Sequence, residues 1–166
     1  MPFGTAFMVD NIGLPLSTLP TIYLVTGLCT VFVGPLVGKA SDSFGKFNTF
    51  CFGTLLTLVM VAVLTNLGHV SLTVVIIVNV LLFIGIFSRM IPSQALVSAI
   101  PEVTKRGAFN AVSASLQQVA GGVSAAVAGA VLIETPAGVL EHFNWLGYIV
   151  MAVASLSLLL MYFVHK

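Results

Sequence analysis

Six polar side chains sit inside otherwise apolar runs of this chain: Asn79, Arg89, Gln94, Asn110, Gln117 and Gln118. Five are carboxamides, which donate and accept hydrogen bonds but do not titrate. The sixth is a permanent cation. Such a set can hold a polar or anionic solute by hydrogen bonding and charge. It cannot run acid–base chemistry, because no apolar run contains paired carboxylates or a histidine. That absence argues against a membrane enzyme. Cys29 and Cys51 lie in apolar runs, belong to no CxxC or His/Cys cluster, and read as small packing residues. No catalytic residue, metal or cofactor is expected.

The elements that carry these residues follow from composition. The chain has 166 residues, 58% of them hydrophobic and only 7% charged. A soluble domain carries about 25% charged residues, so a soluble globular domain is a poor reading. The formal net charge is +1, and no basic stripe points to nucleic acid. The opening Met1-Pro2-Phe3-Gly4 lacks the basic region of a secretory signal. The apolar runs are too long for strands and lack a two-residue alternation. The expected fold is an all-α, polytopic helix bundle whose partner is the lipid bilayer.

A spanning helix needs about 20 apolar residues. Residues 1–9 fall short and read as the last turns of a helix whose start is missing. The alternative is a segment lying against the membrane. Asp10 to Pro15 is a turn-rich loop. Complete spans are expected at 16–38, 48–68, 72–95, 108–133 and 143–164, the third continuing as helix towards residue 99. Pro20 stands near a span start, where proline is tolerated. Gly34-Pro35 is expected to loosen the end of that span.

Charge then orients the bundle. Lys39, Lys46, Lys105, Arg106 and Lys166 fall at one set of span ends, and the loops 10–15, 66–71 and 134–142 hold no Lys or Arg. By the positive-inside rule the basic ends, and the C-terminus with them, face the cytoplasm.

Individual residues carry two readings each. Arg89 lies about 17 residues, or ~25 Å, into its span. It is either an anion, substrate or gating contact, or a snorkelling side chain that reaches the headgroups. Gln117 and Gln118 point about 100° apart, so at most one faces a cavity squarely. Asn110 and Gln117 share a face. Each amide is either a substrate contact or interhelical glue. Gly121, Ala125 and Gly129 form a small-residue ridge that permits close helix approach, and a bulky side chain at Ala125 is expected to disrupt the protein. Asp10 reads as a loop or capping residue, with proton coupling as the sharper alternative. Glu102, Glu134 and Glu141 read as solvated. His69, His142 and His165 read as interfacial.

One stretch carries more than composition: Gly34-Pro-Leu-Val-Gly38-Lys39-Ala-Ser-Asp42-Ser-Phe-Gly45-Lys46. Its glycines suit a tight loop between two helices, and Asp42 suits a positive helix N-terminus. The stretch resembles the loop signature of the major facilitator superfamily, which joins the second and third helices of a six-helix half. Ser43 and Phe47 stand where that signature carries basic residues. Arg106-Gly107 and the helix order extend the resemblance over nearly the whole chain. It implies the C-terminal half of such a transporter, helices seven to twelve with the seventh truncated, similar to bacterial drug- or metabolite-efflux permeases. It further implies an antiporter-like, multi-pass permease of the cell membrane, working by alternating access. Its partners would be a missing N-terminal six-helix half, a small organic solute and protons as the coupling ion. The third and fourth complete spans would flank the cavity, the second and fifth would be peripheral, and Gly38, Lys39, Asp42, Gly45 and Lys46 would form the gating loop. The alternative is a non-transporting membrane scaffold or truncated gene product.

Overall fold

The structure is a computed structural model and describes residues 4–135 and 140–165. Lys166, Pro136 and Gly138 lie outside the described residues, as do the first residues of the partial span. The chain is helical. A short helix α1 (Gly4–Ala6) passes into a π-helical turn over Phe7–Asn11. Five long helices follow: α2 (Leu19–Phe44), α3 (Lys46–Thr65), α4 (Leu72–Ala99), α5 (Arg106–Val131) and α6 (Phe143–His165). All five are long and apolar enough to cross a membrane. Two strands of two residues each, β1 (Ile133–Glu134) and β2 (Leu140–Glu141), pair antiparallel between α5 and α6.

Local chemistry explains most boundaries. A 3-10 turn at Leu16–Thr18 leads into α2, with the Thr18 hydroxyl donating to the Pro15 carbonyl at 2.7 Å. Pro20 occupies the first turn of α2, where its missing N–H costs nothing. Asn66 ends α3, returning its backbone N–H to Val63. Pro35 and Pro92 stand inside α2 and α4 without ending them.

Three expectations are corrected. The segment Gly38–Phe44, expected as part of a loop, is the last two turns of α2; only Gly45 is non-helical before α3 begins at Lys46. Nothing in Gly38–Phe44 breaks a helix, whereas Gly45 adopts φ +91°, a region closed to residues with a Cβ. Asp10 and Asn11 belong to the π-helical turn, so the first loop is shorter than expected. The segment before α6 contains the β1–β2 pair rather than an irregular loop alone.

α3 and α4 form the most extensive helix pair; α2 lies along α4, and α6 along α3. Glycines let them close. A Cβ on Gly53 of α3 would stand 2.6 Å from the Ser88 backbone of α4, and one on Gly85 would stand 2.7 Å from Thr57 Oγ1. Gly147 of α6 meets Thr65 in the same way, at 2.6 Å. The side of α3 that takes part is a four-residue ridge: Thr49, Gly53, Thr57, Val61 and Thr65 are all buried. Its threonines return their hydroxyls to carbonyls four residues back, so the ridge buries no bare donor.

The connections 12–15, 66–71 and 140–142 meet at one end of the bundle. The Asn11 side chain pairs with Leu140, a His69 ring nitrogen lies 2.8 Å from the Ile12 carbonyl oxygen, and Phe7 stacks on Phe143 at 3.8 Å. Phe7, Met8, Ile12, Ile22, Val75 and Phe143 form a buried apolar cluster there. The opposite end carries Lys39, Lys46, Lys105 and Arg106. On α6, exposed Trp145 and Tyr148 stand near the first end and Tyr162 and Phe163 near the basic end. Those two aromatic groups are about 25 Å apart along the helix axis, close to the thickness of a bilayer's hydrocarbon core.

Candidate functional site: an amide-lined groove and a separate arginine cleft

α5 stands apart from the other helices. It touches α6 near its C-terminal end, where Ala128 is buried, and is exposed over most of its length. Between its first half and the last turns of α4 runs a groove of about 370 Å³. Gln94 and Ser98 line it from α4; Asn110, Ser113 and Gln117 line it from α5. Asn110, Ser113 and Gln117 recur at helical spacing, so one face of α5 presents two amides and a hydroxyl. Three of the six polar residues singled out in the sequence therefore meet. The groove is uncharged. It can donate and accept hydrogen bonds and can do no proton chemistry.

The other three go elsewhere. Gln118 is exposed on a different face of α5, as its rotation from Gln117 requires. Asn79 is buried on α4, and its side-chain amide donates to the Val75 carbonyl at 3.1 Å. Arg89 faces the cleft formed by α3, α4 and α6. Its Nη2 donates to Ser157 Oγ at 2.8 Å, and its guanidinium carbon sits 5.8 Å from the centre of the Phe50 ring. Its Nε is buried with no acceptor. The guanidinium is thus turned across the bundle to Ser157 of α6.

The gating-loop residues also separate. Gly45 is needed for its backbone angle, but a Cβ on Gly38 would meet nothing within 4 Å, so Gly38 serves no close helix approach here. Asp42 is exposed on the last turn of α2 and makes no ion pair or hydrogen bond among the described residues. The ion pair present at this end joins exposed Lys105 and Glu102 at 3.0 Å. Gly121 likewise faces open space, and Gly129 is exposed, so among the described residues the small-residue ridge of α5 packs against no helix around Gly121. The close approach expected of that ridge occurs at Gly53, Gly85 and Gly147 instead. The four-residue recurrence of Thr and Gly along α3 was its available signal in the sequence.

Asp10 is exposed at the loop end of the bundle, away from the groove. Cys29 and Cys51 are free thiols. No group of three His, Cys, Asp or Glu that would hold a metal is present among the described residues.

These features define a class: a multi-pass α-helical membrane protein with five candidate spans. Comparison of the chain with family models, with curated proteins and with solved structures finds no match in any of the three.

Proposed function

We propose that this chain is the C-terminal half of a secondary transporter of the major facilitator type, which moves a small organic solute across the cell membrane by alternating access. The observation that carries the reading is the groove between α4 and α5, where Gln94, Asn110 and Gln117 converge. Gln117 lies about 11 residues, ~16 Å, into α5, and polar groups at that depth are costly and collect where a solute or water passes; Gln94 and Asn110 carry the same lining to the basic end. A second support is α5 itself. Its exposed polar groove face and its small-residue ridge suit a partner body, here a second six-helix half closing over the groove. Alternating access then consists of the two halves tilting about a shared site.

Coupling to protons would need a titrating carboxylate. The described spans place none in the groove, so the partner half would supply it. The basic end faces the cytoplasm in this reading, with the C-terminus on the same side. Asp42 would find its partner in the second half and bias one of the two tilted states.

Flux tests this. The chain is reconstituted in proteoliposomes with and without a co-expressed N-terminal half and assayed with a panel of radiolabelled neutral and cationic solutes. Uptake is expected only with both halves and is expected to fall at least tenfold in the Gln94→Ala, Asn110→Ala, Gln117→Ala triple variant. Unchanged uptake in that variant overturns the reading. Asp42→Asn is expected to alter flux more than membrane insertion; equal loss of both assigns it a structural role.

A further inference from the structure

Arg89 is a cation with no counter-charge in the described structure. Its one hydrogen bond goes to a neutral serine, it lies near a neutral ring, and its Nε has no acceptor. At membrane depth an uncompensated charge is expensive and points to a bound partner. The cleft around it, about 470 Å³, is walled by Phe50, Ile86, Met90, Leu160 and Met161, with Ser93 and Ser157 as its polar lining. Met90 and Leu160 are exposed, so the cleft opens sideways from the bundle; Val97 lines both this cleft and the groove at Gln94, so the two adjoin.

The level of the cation matters. Phe50 is one turn into α3 from Lys46, and Ser157 precedes Tyr162 by about one and a half turns, roughly 7–8 Å. The guanidinium therefore lies just inside the aromatic belt at the basic end. That is where an acidic headgroup can reach it while an attached chain stays in hydrocarbon. A small hydrophilic anion would leave the apolar walls without a partner. A zwitterionic lipid would bring a second cation towards a site that already holds one.

We propose that the α3/α4/α6 cleft binds an anionic amphiphile. Its acidic head accepts hydrogen bonds from Arg89, beside Ser157, and its acyl chain lies along Ile86, Met90 and Leu160. The shared chemistry is a phosphate or carboxylate head on an apolar chain. The source is either a bilayer phospholipid or a free fatty acid. The site adjoins the solute groove at Val97 but shares none of its amides, so the proposal does not rest on transport.

Native mass spectrometry of the purified protein in detergent tests it, with phosphatidylglycerol, phosphatidylcholine of the same chains, and oleate as probes. The expected result is retention of one phosphatidylglycerol or one oleate at least tenfold over phosphatidylcholine. Retention of phosphatidylglycerol alone assigns the site to the bilayer, and retention of oleate alone assigns it to a free amphiphile. Arg89→Gln is expected to abolish the preference, with Arg89→Lys keeping part of it. Leu160→Trp, which fills the chain path and leaves the charge in place, is expected to lower retention at least tenfold, and it decides the matter if Arg89→Gln fails to fold. Retention of neither phosphatidylglycerol nor oleate above phosphatidylcholine by the wild type, or wild-type retention in folded Arg89→Gln or in Leu160→Trp, overturns the proposal.

Discussion

Asn11 and Leu140 are tied by two hydrogen bonds across 129 residues of sequence. The Asn11 Nδ2 donates to the Leu140 carbonyl at 2.9 Å, and the Leu140 N–H donates to Asn11 Oδ1 at 3.0 Å. The amide copies the pairing of a peptide group and closes the strand β2 onto the π-helical turn. It joins the end of the π-helical turn to the connection before the last helix.

Replacing Asn11 by Leu removes both bonds and leaves a strand N–H and carbonyl without partners. At a net 0.5–1.5 kcal/mol per bond, the expected loss is about 1–3 kcal/mol. The unfolding midpoint in mixed detergent–SDS micelles measures it. Asn11→Asp should lose about half as much, about 0.5–1.5 kcal/mol, because a carboxylate keeps the acceptor but cannot donate to the Leu140 carbonyl. An Asp variant as stable as wild type would mean that the donated bond contributes nothing.

The Gly53–Ser88 contact predicts a second asymmetry. A Cβ on Gly53 would sit 2.6 Å from backbone atoms of α4, which cannot yield without moving the helix. Gly53→Val should therefore cost about 1–3 kcal/mol, the usual range for an overpacked core. Gly121→Val, where nothing lies within 4 Å, should cost nothing and gain at most a few tenths of a kcal/mol (~0.3) from helix propensity. The same detergent unfolding assay compares the two. Ala125 is partly buried, one turn before buried Ala128, so a bulky residue there is still expected to disturb the packing of α5.

Much of the architecture was legible from residue type and spacing. Five long helices follow from hydropathy, and the grouping of connections at two ends follows from counting spans. Asn110 and Gln117 were readable as a pair because helical spacing puts them on one face; that Gln94 joins them depends on how α5 sits beside α4. What was not legible depends on a second element. The direction of Arg89 is set by Ser157 on α6 and Phe50 on α3, and depth along α4 does not encode either. Gly38 and Gly45 look alike in the sequence, yet only one sits where the backbone demands glycine. Asn11 found its partner in a segment that carries no hydropathy signal.

That difference between two glycines gives a prediction with opposite signs. Gly45 adopts φ +91° and ψ 142°, so Gly45→Ala should cost about 1–3 kcal/mol of backbone strain. Gly38 lies inside α2 with open space around it, so Gly38→Ala should stabilise by about 0.5–1 kcal/mol. Unfolding midpoints that move in opposite directions are expected. A destabilised Gly38→Ala would mean that α2 does not continue as helix through Lys39 and Asp42.

The arrangement of ends predicts which residues share a face of the membrane. Gly68 is exposed in the α3–α4 connection, and Ser43 is exposed on the last turn of α2. α3 runs between them for 20 residues, about 30 Å at 1.5 Å per residue, which is the thickness of a hydrocarbon core. On a Cys29→Ala, Cys51→Ala background, single Gly68→Cys and Ser43→Cys variants are labelled in whole cells with a membrane-impermeant maleimide. Gly68→Cys should react at once, and Ser43→Cys only after permeabilisation, because the basic residues favour the cytoplasmic side at the Ser43 end. Reversal of the two outcomes would keep the bundle and invert its orientation. Immediate reaction of both would mean that α3 does not cross the membrane, and the alternation of every later helix would fail with it.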